Sequence, residues 1–137
     1  MSNINEIAKQ FVDYYYQAFD SDRNNLAPLY VRSMENINCA KKPRRSVSMM
    51  TWEAQQLQGV EQIVEKLVSL PFQKVAHQIT TIDAQQSLPN VNAIVIMVTG
   101  QLLVDDETKP QHFSQTFQLV EDNGFFVYND IFRLNYA

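Results

Sequence analysis

QKVAHQITTIDAQQSLPNVNAIVIMVTGQLLVDDETKPQHFSQTFQLVEDNGFFVYNDIFRLN, residues 73–135, is where the periodicity of the chain changes. From Gln73 onward side-chain character alternates with a period of two, the signature of strands. Val75, His77, Ile79, Thr81 and Asp83 are expected on one face of the first strand, with Ala76, Gln78, Thr80, Ile82 and Ala84 on the other. Ser87 to Asn92 reads as a turn. Asn92 to Val104 is almost wholly apolar, which predicts a long central strand covered on both faces. Asp105 to Gln111 is an acidic turn containing Pro110, after which Phe113, Gln115, Phe117 and Leu119 alternate with polar residues. Asn123-Gly124 is a hairpin signal, and Phe125 to Leu134 is the last strand.

Upstream, the period is helical. Ile4, Ile7, Phe11, Tyr14, Tyr15, Ala18 and Phe19 form one apolar stripe, with Asn3 and Glu6 at capping-box spacing. Asp20, Ser21 and Asp22 break it and cap a second helix through Leu26 and Leu29, kept short by Pro28. Gly59 to Ser69 is a further helix with Val60, Ile63, Val64, Leu67 and Val68 in its stripe, ended by Leu70-Pro71. Helices followed by a meander of antiparallel strands predict an α+β domain with a sheet curled over the helices.

The remaining composition narrows the function. At 137 residues the chain is the size of one domain. Eight phenylalanines, six tyrosines and one tryptophan supply a sizeable core, while charged residues are only 19%. A net charge of -4 argues against nucleic acid or an anionic membrane as the main ligand. The single cysteine, Cys39, excludes an internal disulfide and a cysteine-rich zinc site. No apolar run approaches the ~20 residues of a membrane span. The polar start shows no signal peptide, so a reduced, intracellular domain is the expectation.

Chemistry-bearing groups are few. Three glycines cannot build a phosphate loop, and no HExxH, nucleophile elbow or Cys/His cluster occurs, so no metal or cofactor is expected. His77 with Asp83 is the best acid/base pair, with a tyrosine such as Tyr15 as a third group, but six strand residues separate the two by roughly 20 Å. Asp105, Asp106 and Glu107 read either as a solvated turn or as a docking patch for a basic partner. Trp52 beside Glu53 is core or interface anchor. Lys41, Lys42, Pro43, Arg44 and Arg45 read as a solvated loop or as a nuclear-import or polyanion-binding run, within a Val31 to Arg45 stretch that has neither period.

FVDYYYQAFDSDRNNLAPLY, SMMTWEAQQLQG, IVEKLVSLPFQKVAHQITTIDAQ, MVTGQLLVDDE and FSQTFQLVEDNGFFVYNDIFRLNYA occur in this order. Together they resemble the nuclear transport factor 2 family over nearly the whole chain. The resemblance implies a homodimer of cone-shaped α+β subunits, their N-terminal helices packed in a strongly curved antiparallel sheet, without enzymatic activity. It implies a carrier that binds the GDP form of the small GTPase Ran and the Phe-Gly repeats of nucleoporins, moving between cytoplasm and nucleus through the pore. Carried onto this chain, the Ran-binding rim is Glu53, Asp105 and Glu107 with Asp106 between. The cavity wall includes Trp52, Leu70, Val75 and Phe132. The dimer face bears Met97 and Ile131. At the family's Phe-Gly position near the start of the first helix this chain has Ile4, which implies weaker repeat binding. The competing reading is a cone-fold isomerase or dehydratase using His77 and Asp83.

One segment departs from the family pattern. Removing residues 31–44 leaves LYRSVSMMTWE, which follows that pattern without a break. The segment holds Arg32, Lys41, Lys42 and Arg44 against Glu35, so the rest of the chain is more acidic than its total. It is either a surface loop, tolerated because loop length costs little entropy, or translated intron sequence. Valine codons begin GT and an arginine codon can supply AG, so excision restores the frame.

Overall fold

The structure is a computed structural model and describes residues 3–30, 47–105, 107–122 and 124–135. Helix α1 spans Ile4–Ser21. The Asn3 carboxamide oxygen accepts from the Glu6 backbone N–H (3.3 Å), and its Nδ2 donates to the Glu6 carboxylate (2.5 Å). Both bonds satisfy groups at the helix start. The buried stripe differs from the expected one: Tyr14 is 53% exposed, whereas Ala8, Val12 and Tyr16 are buried beside Tyr15, Ala18 and Phe19. A 3₁₀ helix, Arg23–Tyr30, follows with Pro28 inside it. Its tighter winding suits a short segment whose proline lacks an N–H. Helix α2, Val60–Val68, buries Ile63 and Leu67.

Six strands form one sheet. These are β1 (Met49–Trp52), β2 (Gln55–Gln58), β3 (Val75–Gln86), β4 (Ala93–Val104), β5 (Gln111–Glu121) and β6 (Phe125–Asn135). Their order is β2-β1-β6-β5-β4-β3. The meander β3 to β6 is antiparallel as expected. The expectation of an entirely antiparallel sheet is corrected by β1, which pairs parallel to β6 and antiparallel to β2. The sheet is therefore mixed. It curls around α1, whose tyrosines reach β3, β5 and β6: Tyr16 packs on His77 and donates to Gln115, and Tyr15 donates to Asp130.

Two further expectations are corrected. Strand β4 is not central; it lies between β5 and β3. Ile94, Ile96, Val98, Leu102 and Val104 are buried on its inner face, while Met97 (49%) and Leu103 (38%) are exposed on the outer one. In β3 the register shifts between Ile79, which faces Gly100, and Thr81, which faces Thr99. The extra residue reverses the alternation. Val75, His77 and Ile79 point inward before it, and Ile82 and Ala84 after it, so Asp83 lies on the opposite face from His77. The bulge removes the proposed acid/base pair.

The basic run and the 31–44 segment lie outside the described residues. Their described flanks meet: Ser48 Oγ lies 2.8 Å from the Tyr30 carbonyl oxygen and 2.5 Å from that of Val127.

Candidate functional site

Parallel pairing of β1 with β6 sets Trp52 beside Phe132, and neighbours in register project from the same face. Their rings stack at 4.0 Å with an interplanar angle of 7°. Phe19 of α1 stacks near Trp52 at 6.2 Å, and Phe113 of β5 near Phe132 at 5.7 Å. Phe19, Trp52 and Phe132 of this aromatic file wall an open cavity of about 290 Å³. Leu70, Pro71 and Phe72 after α2, Val75 of β3 and Leu102 and Val104 of β4 complete its apolar lining. The volume lies near the lower end of the ~300–1,000 Å³ typical of ligand pockets. It suits one side chain or a one-ring ligand. All four residues assigned to the wall from the resemblance, Trp52, Leu70, Val75 and Phe132, line this one cavity.

Carboxylates stand at its mouth. Asp105 and Glu107 both line the cavity. Asp105 sits in a left-handed turn (φ 49°). Its Oδ1 accepts from the backbone N–H groups of Lys74 (2.9 Å) and Gln73 (3.0 Å). Those bonds, the Lys74 one foremost, hold its carboxyl below the usual carboxylate range. Glu107 accepts from Gln111 Nε2 at 3.3 Å. Asp106 lies outside the described residues.

Glu53 is not part of the lining but adjoins it through Trp52. It forms, with Ala54, the two-residue turn between β1 and β2. Both have positive φ, 50° and 76°. That is the type I′ pattern, which normally selects Asn and Gly. A non-glycine residue held there costs roughly 1–2 kcal/mol. The Glu53 side chain is anchored in return: Oε1 accepts from the Leu134 backbone N–H at 2.5 Å. The strained turn and this bond fix a carboxylate next to the cavity's tryptophan.

Below the mouth lies a pair that sequence reasoning missed. His77 Nδ1 is 2.5 Å from Asp20 Oδ1, and the His77 backbone N–H donates to Asp20 Oδ2 at 2.9 Å. The imidazole is boxed by Tyr16, Phe19 and Phe113, with centroids 4.7, 5.0 and 5.4 Å away. Asp20 had read only as a helix stop, and 57 residues of separation leave no local signal. Arg23 was also missed. Its guanidinium lies 5.1 Å from the Phe72 ring centroid and 5.7 Å from that of Phe19, and donates to the Phe72 carbonyl at 3.0 Å. It thus clips the post-α2 segment to α1.

Behind the cavity is a buried polar network. Asp130, only 1% exposed, accepts from Tyr30 Oη at 2.6 Å, Gln115 Nε2 at 2.7 Å and Tyr15 Oη at 3.4 Å. Burial pushes its carboxyl up to about 6, against the lowering effect of those donors. Burial, foremost, and the Asp130 charge push the phenols of Tyr15 and Tyr30 well above their ordinary range. The network ties α1, the 3₁₀ helix, β5 and β6 together directly behind Phe132.

On the outer sheet face Met97 faces Thr116, and Thr116 faces Ile131. Met97 and Ile131 therefore lie in one row, two strand spacings or roughly 10 Å apart. They are 49% and 53% exposed. Ile4 opens α1 and is partly buried against the core. Among the described residues no group of three or more His, Cys, Asp or Glu is placed to hold a metal ion. Among the described residues no helix is long and apolar enough to cross a membrane.

A curled sheet around one long helix, with an open apolar cavity at one end, defines the class of cone-shaped α+β binding folds. The family model described as "Nuclear transport factor 2 (NTF2) domain" matches residues 7–134. Nuclear transport factor 2 of Candida glabrata is 53% identical over 136 residues, covering 98% of this chain and 97% of that protein. The Saccharomyces cerevisiae protein of the same name is 50% identical with the same coverage. A solved nuclear transport factor 2 from Cryptosporidium parvum is similar in structure, with a TM-score of 0.80 and 41% identity, covering 98% and 96% of the two chains. The chain belongs to the nuclear transport factor 2 family. Its role is in nuclear transport, and it is not an enzyme.

Proposed function

We propose that this chain is a homodimeric carrier of GDP-bound Ran. In this reading an aromatic side chain of Ran enters the cavity, and basic side chains around it meet Glu53, Asp105, Asp106 and Glu107. One observation carries it: Trp52 and Phe132 share a single open cavity with Asp105 and Glu107. Fully burying one aromatic side chain is worth ~1.5–3 kcal/mol. The carboxylates add speed of encounter and partner choice more than affinity. Selection of the GDP state needs no contact to nucleotide. The carrier has only to bind a switch segment whose conformation exists with GDP and not with GTP.

The Met97 and Ile131 face supports the dimer, since an exposed sheet face low in charge is covered economically by a second copy. Repeat binding at Ile4 is weaker than at an aromatic, because an aliphatic side chain offers no ring face to phenylalanine. The chain moves between cytoplasm and nucleus through the pore, and residues 31–44 form an atypical basic insertion in its single domain.

Glu53→Lys tests the rim. Titration of GDP-bound Ran should show binding abolished while ultracentrifugation still shows the wild-type oligomer. Glu53→Gln is the control, because its carbonyl still accepts from Leu134 without the charge. Unchanged affinity in Glu53→Lys contradicts the assignment.

A further inference from the structure

His77 holds a buried polar atom that the Ran reading does not use. Its side chain is only 2% exposed, and it lines the cavity. Nδ1 is taken by the Asp20 carboxylate. Among the described residues Nε2 has no hydrogen-bond partner. A carboxylate on Nδ1 fixes a proton there, and in that tautomer Nε2 is the acceptor. A buried acceptor without a donor is costly. An apolar cavity with one such atom is therefore shaped for a ligand that brings a hydroxyl.

The opposite end of the cavity is anionic. His77 faces Leu102 across the sheet, and Asp105 lies three residues further along β4 and its turn. At strand rise this is roughly 10 Å. A single aromatic ring with a hydroxyl at one end and a two-carbon amine arm at the other is of that length.

We propose that the cavity is also a small-molecule site for phenolic amines. The ring lies against Trp52 and Phe132, the hydroxyl donates to His77 Nε2, and the ammonium rests at Asp105 and Glu107. The proposal concerns the same cavity as the Ran reading, but its principal test needs no Ran.

The test is a calorimetric titration of the full chain with tyramine, phenethylamine and 4-hydroxyphenylacetate. Tyramine should bind about five- to tenfold more tightly than phenethylamine, the worth of one hydrogen bond. It should also bind severalfold more tightly than the acid, by a margin that shrinks with salt. In His77→Phe the two amines should bind equally. If that variant does not fold, the comparison of the two amines on the wild-type chain decides. Equal binding of the amines by the wild type, or no saturable binding of tyramine at millimolar concentration, overturns the proposal. Tyramine should displace GDP-bound Ran; binding without displacement overturns the assignment of both to one cavity. A chain that binds tyramine but not Ran contradicts the carrier reading and leaves the phenol site standing.

Discussion

Replacing Asp130 by Asn should change the pH dependence of stability more than stability itself. Asp130 is 1% exposed, and burial raises its carboxyl from 3.8 to about 6 despite three donors. The folded state therefore holds this proton more tightly than the unfolded chain does. Stability that is present below about pH 4 is lost as pH rises through about 6. A shift of about two units corresponds to roughly 3 kcal/mol. Asn keeps the shape and has no proton to lose. Urea unfolding of wild type and Asp130→Asn at matched protein concentration, stepped from pH 4 to about 7, isolates the effect, because all other titrating groups cancel. Wild type should lose roughly 2.4 kcal/mol of this relative to the variant across that range, because the unfolded carboxyl is already partly ionised at pH 4. A difference that stays flat shows that the carboxylate is not penalised by burial. A wild type that gains on the variant as pH rises shows that Tyr15, Tyr30 and Gln115 more than compensate the buried charge.

Three further outcomes follow from the geometry. Gly100→Ala should destabilise by about 1–3 kcal/mol in denaturant unfolding, because a Cβ there would collide with the Gln78 carbonyl at the bulge and lie 3.2 Å from the Phe113 ring; wild-type stability would mean the bulge has slack. Asp105→Ala should speed hydrogen exchange of the Gln73 and Lys74 amides, whose acceptor it removes; unchanged protection would place their acceptor elsewhere. Met97→Glu should shift sedimentation to the monomer, since it sets a charge in the exposed outer row; an intact dimer would move the interface off this face.

The long elements were legible because their patterns are local and repeat. Helix α1, helix α2 and strands β3 to β6 each run for nine residues or more, long enough for their period or apolar composition to mark them. Strands β1 and β2 were not, for two physical reasons. Each has four residues, and their turn is Glu53-Ala54, without the Asn or Gly that marks a left-handed hairpin. Yet that hairpin is what brings Trp52 onto Phe132. The β3 bulge was equally silent, because Thr80-Thr81 looks like any pair of strand residues. Its effect was to move Asp83 off the face of His77 and dissolve the only acid/base pair seen in the sequence. The Asp20–His77 pair and the Asp130 network join residues 57 and about 100 positions apart. Such pairings are set by how the sheet wraps the helix, and no window of sequence contains them. Trp52, Leu70, Val75 and Phe132, which line the cavity with Asp105 and Glu107, were by contrast named from the family resemblance, which carries three-dimensional information that periodicity lacks.

In the proposed function an apolar hollow with a negative mouth recognises one conformation of a partner. Calorimetric titration of the chain with Ran, loaded in turn with GDP and with GTP, bears on it without any mutation. Saturable binding of one Ran per subunit is expected in the GDP state and no detectable heat in the GTP state. Equal binding of both forms, or binding of neither, contradicts it.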